Sequence, residues 1–466
     1  MTTVSSIAIA PGALPLLGHL VPLLRDPLGF LASLPEHGDL VRVRLGPFPA
    51  IMVCDPGLTR HVLLEDQTFD KGGPLFDRGR EVLGTGLSTC PHSEHRRQRR
   101  LIQPAFHRSR LQGYAQIMTA QIVKVTASWR DGQVLDVPAE MHTLTARVTG
   151  ETLFSDTLPT PVLQQALDDL TTINAGVFRR MLMPPPLDRL PTPGNRRYHQ
   201  ARARLRQIVG IIAGRRASGT DHGDLLSALL AARDPADVHQ GLSDAEISDQ
   251  ILTFFVAGAE TTANTLAWAL YLLAQHPHIE ERLHAEVDAV VNGGAATYEH
   301  LPKLELTGRV ITETMRLYPP GWLFTRSVTV DTHLGGHPIP AGTVVAYSPY
   351  IIHHRPDLYP DPERFDPDRW DGTRRSPPTR EAFIPFGVGA RKCIGDQFAM
   401  TEATLALATL AARWHLRTLP DRPVRPTARS SLQLRGLRMR AVARPPARQP
   451  ASGPSPGTND ATIPRL

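Results

Sequence analysis

The sequence predicts a mainly α protein with small β-sheets. Long apolar-periodic stretches fill the middle of the chain, short strand-like runs lie early and late, and only the last residues lack any periodicity. In order, Leu40 to Leu45 and Ala50 to Cys54 read as strands. Ile251 to Trp268 reads as one long apolar helix, Thr343 to Tyr347 as a late strand, and Asp396 to Leu407 as a second helix. By length alone 466 residues could make two or three domains. No internal repeat and no linker divides the chain before the tail, so residues 1–444 are expected to form one domain. From 445 to 466, Pro, Ser, Gly, Asn and Asp dominate, and that segment is expected to be disordered.

Composition excludes several function classes. Lys and Arg number 51 against 45 Asp and Glu, a net charge of +6. Only Lys71, Lys124, Lys303 and Lys392 are lysines. No aromatic and basic residues interleave as a nucleic-acid module requires, so no nucleic acid is expected. The cysteines are Cys54, Cys90 and Cys393, with no C-x-x-C pair and no disulfide framework, which fits a reducing, cytoplasmic setting. No apolar run reaches the roughly 18 residues of a membrane span, and Met1 to Ala10 lacks the charged start and apolar core of a secretory signal.

The chemistry centres on Phe386 to Gly395. Gly387 and Gly389 let the backbone turn tightly and approach a flat ligand. Cys393 stands at the head of a helix, where unpaired amide donors and the dipole, with Arg391 and Lys392, are expected to lower the thiol pKa. A lone cysteine is usually an ordinary buried one. Here Phe386, Gly389, Arg391, Cys393 and Gly395 fill every fixed position of F-x-x-G-x-R-x-C-x-G. The chain therefore resembles the haem-thiolate monooxygenases of the cytochrome P450 family. That resemblance implies the cytochrome P450 fold over residues 1–444 and a haem b (iron protoporphyrin IX) cofactor. Cys393 would be the metal ligand, with Phe386 and Gly389 at the cofactor.

Three further motifs carry the resemblance. Ala257-Gly258-Ala259-Glu260-Thr261 interrupts the long apolar helix with an acid and a hydroxyl, and matches the family's A-G-x-[DE]-T. Glu260 and Thr261 are thereby assigned to proton delivery, and Thr262 to helix packing. Glu313-Thr-Met-Arg316 places opposite charges one turn apart, and the resemblance makes them a buried pair completed by Arg369 of Pro367-Asp-Arg369-Trp370. His95 and Arg99 fit H-x-x-x-R and, with Arg326 and Arg391, fall where the family places its propionate contacts. Arg96, Arg97 and Arg100 are expected to face solvent, where a basic patch would steer an acidic redox partner. His353 and His354 receive no function.

The residues after Gly395 are too few for a fused reductase. Electrons are expected from a separate ferredoxin and an NAD(P)H-dependent ferredoxin reductase. Leu75, Phe76, Phe254, Phe255, Trp322, Leu323 and Phe324 suggest an apolar small-molecule substrate. Val177 to Pro185, Leu190 to Tyr198 and Tyr318 to Arg326 are similar to actinobacterial enzymes that oxidise sesquiterpenes. The implied reaction carries a methyl group of a pentalenene-like hydrocarbon to the alcohol and the aldehyde in antibiotic biosynthesis. Alternatives are another lipophilic substrate, such as a fatty acid, steroid or macrolide, and a haem-based sensor or binding protein without turnover.

Overall fold

The computed structural model describes residues 7–445 apart from 46–47, scattered positions between 156 and 189, 206–213, 217, 235–236, 373–378, 380 and 421–422. The tail beyond 445 and the Val177 to Pro185 segment lie outside the described residues. The spine is the helix Asp244–Gln275, longer at both ends than the apolar run predicts. Its start is fixed by a capping box: Ser243 Oγ accepts from Glu246 N at 3.2 Å, and Ser243 N donates to the Glu246 carboxylate at 2.8 Å. Against it pack the helices Val137–Phe154, Glu305–Leu317 and Asp396–Arg413. Every residue from Thr401 to Ala412 is buried, so that last helix is enclosed on all sides, as a central helix is.

A six-stranded sheet flanks the helices. Its strand order is Ala8–Ile9, Leu40–Leu45, Phe48–Val53, Val344–Tyr347, Phe324–Val328 and Phe69–Asp70. The strand expected from Ala50 begins two residues earlier, because Leu45 pairs with Phe48 across a tight hairpin. A three-stranded sheet joins Trp414–Thr418, Arg438–Ala443 and Val134–Asp136, and Arg425–Ala428 pairs with Leu432–Arg435 as a hairpin. Among the described residues no helix is long and apolar enough to cross a membrane.

Behind the cysteine loop lies a buried ionic cluster. Glu313 and Arg316 have no exposed surface, and the guanidinium meets the carboxylate in a fork at 2.8 and 2.9 Å. Arg369 Nε, at 3.2 Å, and Trp370 Nε1, at 2.9 Å, also donate to Glu313. Arg316 further donates to the carbonyls of His353, Pro362 and Arg364.

His353 extends this cluster toward the cysteine loop, a role its sequence context did not suggest. Its Nε2 accepts from Ile384 N at 3.0 Å, so the proton sits on Nδ1, which donates to Arg316 O at 3.2 Å. Burial, then the charges of His354 and Arg316, hold its pKa well below the usual histidine value. Unfolded His353 takes a proton below about pH 6.5 and folded His353 does not, so its neutral form is no handicap above that pH and costs stability as pH falls. His354, lowered to about 4 by burial, acts in the same direction, whereas Glu280, raised to about 7, opposes it. Comparing urea unfolding of wild type and His353→Gln isolates the term. The variant's slope of stability against pH between 6.5 and 5 is expected to be shallower by about 1.4 kcal/mol per pH unit. Equal slopes would show that His353 titrates normally.

Candidate active site

Three backbone hydrogen bonds shape the cysteine loop: Gly387 N to Ile384 O at 3.0 Å, Lys392 N to Gly389 O at 3.1 Å, and Cys393 N to Phe386 O at 2.9 Å. Gly387 and Gly389 have φ of 68° and 74°, left-handed values that favour glycine. A Cβ on Gly389 would lie 2.7 Å from Leu63 O, so this glycine packs the turn onto the chain behind it. A Cβ on Gly387 would meet no protein atom within 4 Å, and Gly387 lines a cavity with Phe386 and Cys393. Gly389 does not line it.

The Cys393 sulfur has accessible surface yet is densely surrounded, because that surface faces the cavity rather than bulk water. Burial pushes the thiol pKa up and outweighs the Gly395 N–H, Arg99 and Lys392, which pull it down. The expectation that the helix start and nearby charges lower it is thus corrected: the donor is present, but desolvation wins. A coordinated metal cation would reverse the balance, since it deprotonates a ligating thiol.

The cavity, about 400 Å³, is mostly apolar but is lined by several basic side chains. His95 and Arg99, one turn apart on the helix His92–Ile102, both line it, as do Lys71, Arg326 and Arg391. Lys71 Nζ donates to Ser88 O at 2.6 Å, and the Lys71 and Arg326 cations stand 5.5 and 5.9 Å from the centre of the Phe76 ring. Burial, then Arg326 and Arg391, push Lys71 down to about 7. Burial, then Arg391, Lys71 and Arg99, push His95 down to about 3. A bound anion would relieve both.

Arg391 differs from its neighbours. It donates to Asp66 at 3.2 Å, Asp70 at 2.7 Å and Cys90 O at 2.8 Å, so two carboxylates already match its charge. Lys71 stands among the cations instead. No motif marks it; the one clue is its rarity in an arginine-rich chain. Arg97 and Arg100 are likewise tied, to Glu246 and Asp234, which shrinks the expected basic patch.

The long helix forms a second wall. Ala257, Gly258, Thr261 and Thr262 line the cavity. Gly258 also permits close helix packing, since a Cβ there would lie 2.9 Å from Thr149 Oγ1. Thr261 Oγ1 donates to Ala257 O at 2.7 Å, which leaves its lone pairs as acceptors. Glu260 does not line the cavity; it is buried, and its Oε1 accepts from Ser430 at 3.1 Å, Ser431 at 2.5 Å and Gln433 at 2.8 Å. Thr262, expected only to pack, faces buried Glu402. Burial holds the Glu402 carboxyl far above the usual range, and the Thr262 hydroxyl, short of full hydrogen-bond geometry, is the one dipole opposing it. Of the predicted apolar residues, Phe76, Phe254 and Phe324 line the cavity, whereas Phe255, Trp322 and Leu323 pack into the cores. The side chain of Leu75 is outside the described residues.

These residues fit a haem: a single thiol for the iron, cations for two propionates, apolar walls, and a glycine that leaves one face open. Among the described residues no group of three or more His, Cys, Asp or Glu could hold a metal ion by itself. Residues 10–439 match the family described as Cytochrome P450. The chain is similar to the haem domain of cytochrome P450DA, with a TM-score of 0.85 and 28% identity over 94% of this chain and 98% of that one. The chain belongs to the cytochrome P450 family and is a P450 monooxygenase, with haem as its cofactor. It is 50% identical to cyclooctat-9-en-7-ol 5-monooxygenase of Streptomyces melanosporofaciens, over 88% of this chain and 90% of that protein. It is 46% identical to pentalenene oxygenase of Streptomyces avermitilis, over 94% and 97%.

Proposed function

We propose that residues 1–444 form one haem-thiolate domain that hydroxylates an unactivated C–H bond of a terpene, in the cytoplasm, with electrons from a separate ferredoxin. The observation that carries this reading is one apolar cavity lined by both Cys393 and a set of basic side chains, Lys71, His95, Arg99 and Arg326. Haem b, when bound, supplies oxygen activation and C–H abstraction; the protein supplies binding, orientation and protons. Cys393 would hold the iron as a thiolate. Lys71, His95, Arg99 and Arg326 would hold the propionates, with Arg391 bracing them through Asp66 and Asp70. Phe76, Phe254 and Phe324 would hold the substrate by apolar contact and keep water out. The terpene assignment draws on relatives named for pentalenene and cyclooctat-9-en-7-ol. A methyl oxidised through alcohol to aldehyde, as in the pentalenene-like case, is the version to test first.

The reduced protein with carbon monoxide tests the reading. A Soret band at the long wavelength typical of thiolate ligation is expected, and a histidine-like band from undamaged protein would refute it. Protons would pass through Thr261, whose Oγ1 can accept one hydrogen bond and relay it. Thr261→Ala is expected to lower product per NADPH about tenfold and to release peroxide, while Thr261→Ser stays close to wild type. Unchanged coupling in the alanine variant would remove Thr261 from the relay.

A further inference from the structure

Glu260, Asn264 and Trp268 are spaced four apart and therefore share one face of the long helix. All three residues bond to the tip of the hairpin Arg425–Ala428 and Leu432–Arg435. Asn264 Nδ2 donates to Ser431 Oγ at 2.8 Å, and Trp268 Nε1 donates to Leu432 O at 3.3 Å. Ser431 has one hydroxyl proton; with Asn264 occupying a lone pair, that proton is the one given to Glu260 Oε1. Gln433, half-buried, adds a second donor and exposed Ser430 a third. From its other side the tip is held independently. Leu432 N donates to Pro320 O at 2.9 Å, and Trp322 Nε1 donates to Arg429 O at 2.8 Å. Pro320 is itself cavity wall. The donors to Glu260 are thus fixed in space by bonds that do not involve Glu260.

We propose that Ser431 and Gln433 are positioning residues for the proton relay, holding the Glu260 carboxylate at the back of the long helix so that its proton traffic reaches Thr261 from behind the cavity wall. Thr261 is the next residue along the helix and faces the cavity, whereas Glu260 faces the hairpin, so the pair spans the wall rather than lining it together. Nothing in the A-G-x-[DE]-T spacing identifies the partners of the acid, which lie about 170 residues downstream in the chain. The inference rests on the reading of Glu260 as the relay acid.

The test uses the haem-loaded full chain and four variants: Glu260→Gln, Ser431→Ala, Gln433→Met and the conservative Ser431→Thr. Product per NADPH, peroxide release and the solvent deuterium effect on turnover report the relay. The spectral Kd for an apolar ligand reports the cavity. Ser431→Ala and Gln433→Met are each expected to lower product per NADPH, together about tenfold, and to enlarge the deuterium effect, with ligand Kd within about twofold of wild type. Ser431→Thr should restore coupling. Independently of turnover, the loss of melting temperature caused by Ser431→Ala should shrink by at least about half in the Glu260→Gln background, because the contact is already weakened there. If Glu260→Gln uncouples the enzyme while Ser431→Ala and Gln433→Met do not, the positioning role is wrong and the relay reading stands. If Glu260→Gln leaves coupling unchanged, the relay reading falls and this inference with it. Gln433 is only half-buried, so its variant remains informative should Ser431→Ala fold poorly.

Discussion

Arg316→Ala is expected to yield protein that carries little or no haem. The guanidinium meets both oxygens of Glu313 and three backbone carbonyls, those of His353, Pro362 and Arg364, with no exposed surface. Removing it leaves the Glu313 carboxylate buried with one charged partner, Arg369, beside the Trp370 indole and the Asp366 N–H, and strips the three carbonyls of this donor. Breaking a buried pair in this way typically costs about 3–5 kcal/mol, a large share of the ~5–15 kcal/mol that holds a domain together. The damage also has a direction. His353 spans Arg316 O and Ile384 N, and Ile384 O in turn receives Gly387 N, so slack at Arg316 passes along three hydrogen bonds into the cysteine loop. Arg316→Lys keeps a charge but loses the fork, and an intermediate haem content is expected. The ratio of Soret to protein absorbance in purified protein, with thermal unfolding alongside, checks this. Wild-type haem content in Arg316→Ala would show that the cluster does not brace the loop.

How much of this site was legible beforehand depends on how local each piece is. The helix carrying His95 and Arg99, the glycine turns before Cys393 and the Glu313–Arg316 pair all rest on spacings of a few residues, and backbone geometry turns such spacings directly into shared faces. Arg369, over 50 residues from Glu313, was reachable only through the family resemblance. What no spacing encodes is which distant side chain answers a given charge. Asp66 and Asp70 engage Arg391 across more than 300 residues of chain, Lys71 enters the cavity without a motif, and Ser431 and Gln433 draw Glu260 away from it. The sequence offers His353 no role, since two adjacent histidines cannot both face one ligand in regular structure. In the fold they part company, His353 bridging Arg316 and Ile384 while His354 stacks against Tyr350. The direction of the Cys393 shift failed for a related reason: the helix start and the cations are visible in sequence, but the desolvation that outweighs them is a property of the assembled cavity.

That raised thiol makes Cys393→Ser the most discriminating change at the site itself. Serine is close in size and its backbone N–H can keep the bond to Phe386 O, so the loop is expected to hold its shape and the protein to fold. A buried thiol held in its neutral form contributes no charge interaction that serine would lose, which predicts unfolding midpoints within about 1 kcal/mol of wild type when haem is absent. Ligation is another matter. Serine is a poor anion where burial already disfavours charge, and it lacks the soft sulfur that suits iron. Haem affinity and turnover are therefore expected to fall further than the ~10- to 100-fold seen when groups that merely support a ligand are removed. The long-wavelength band with carbon monoxide should vanish in the same sample. The two measurements separate fold from chemistry. A stable Cys393→Ser protein with no such band and no product places the reaction on the sulfur, whereas a variant that keeps both band and turnover would move the iron to another residue.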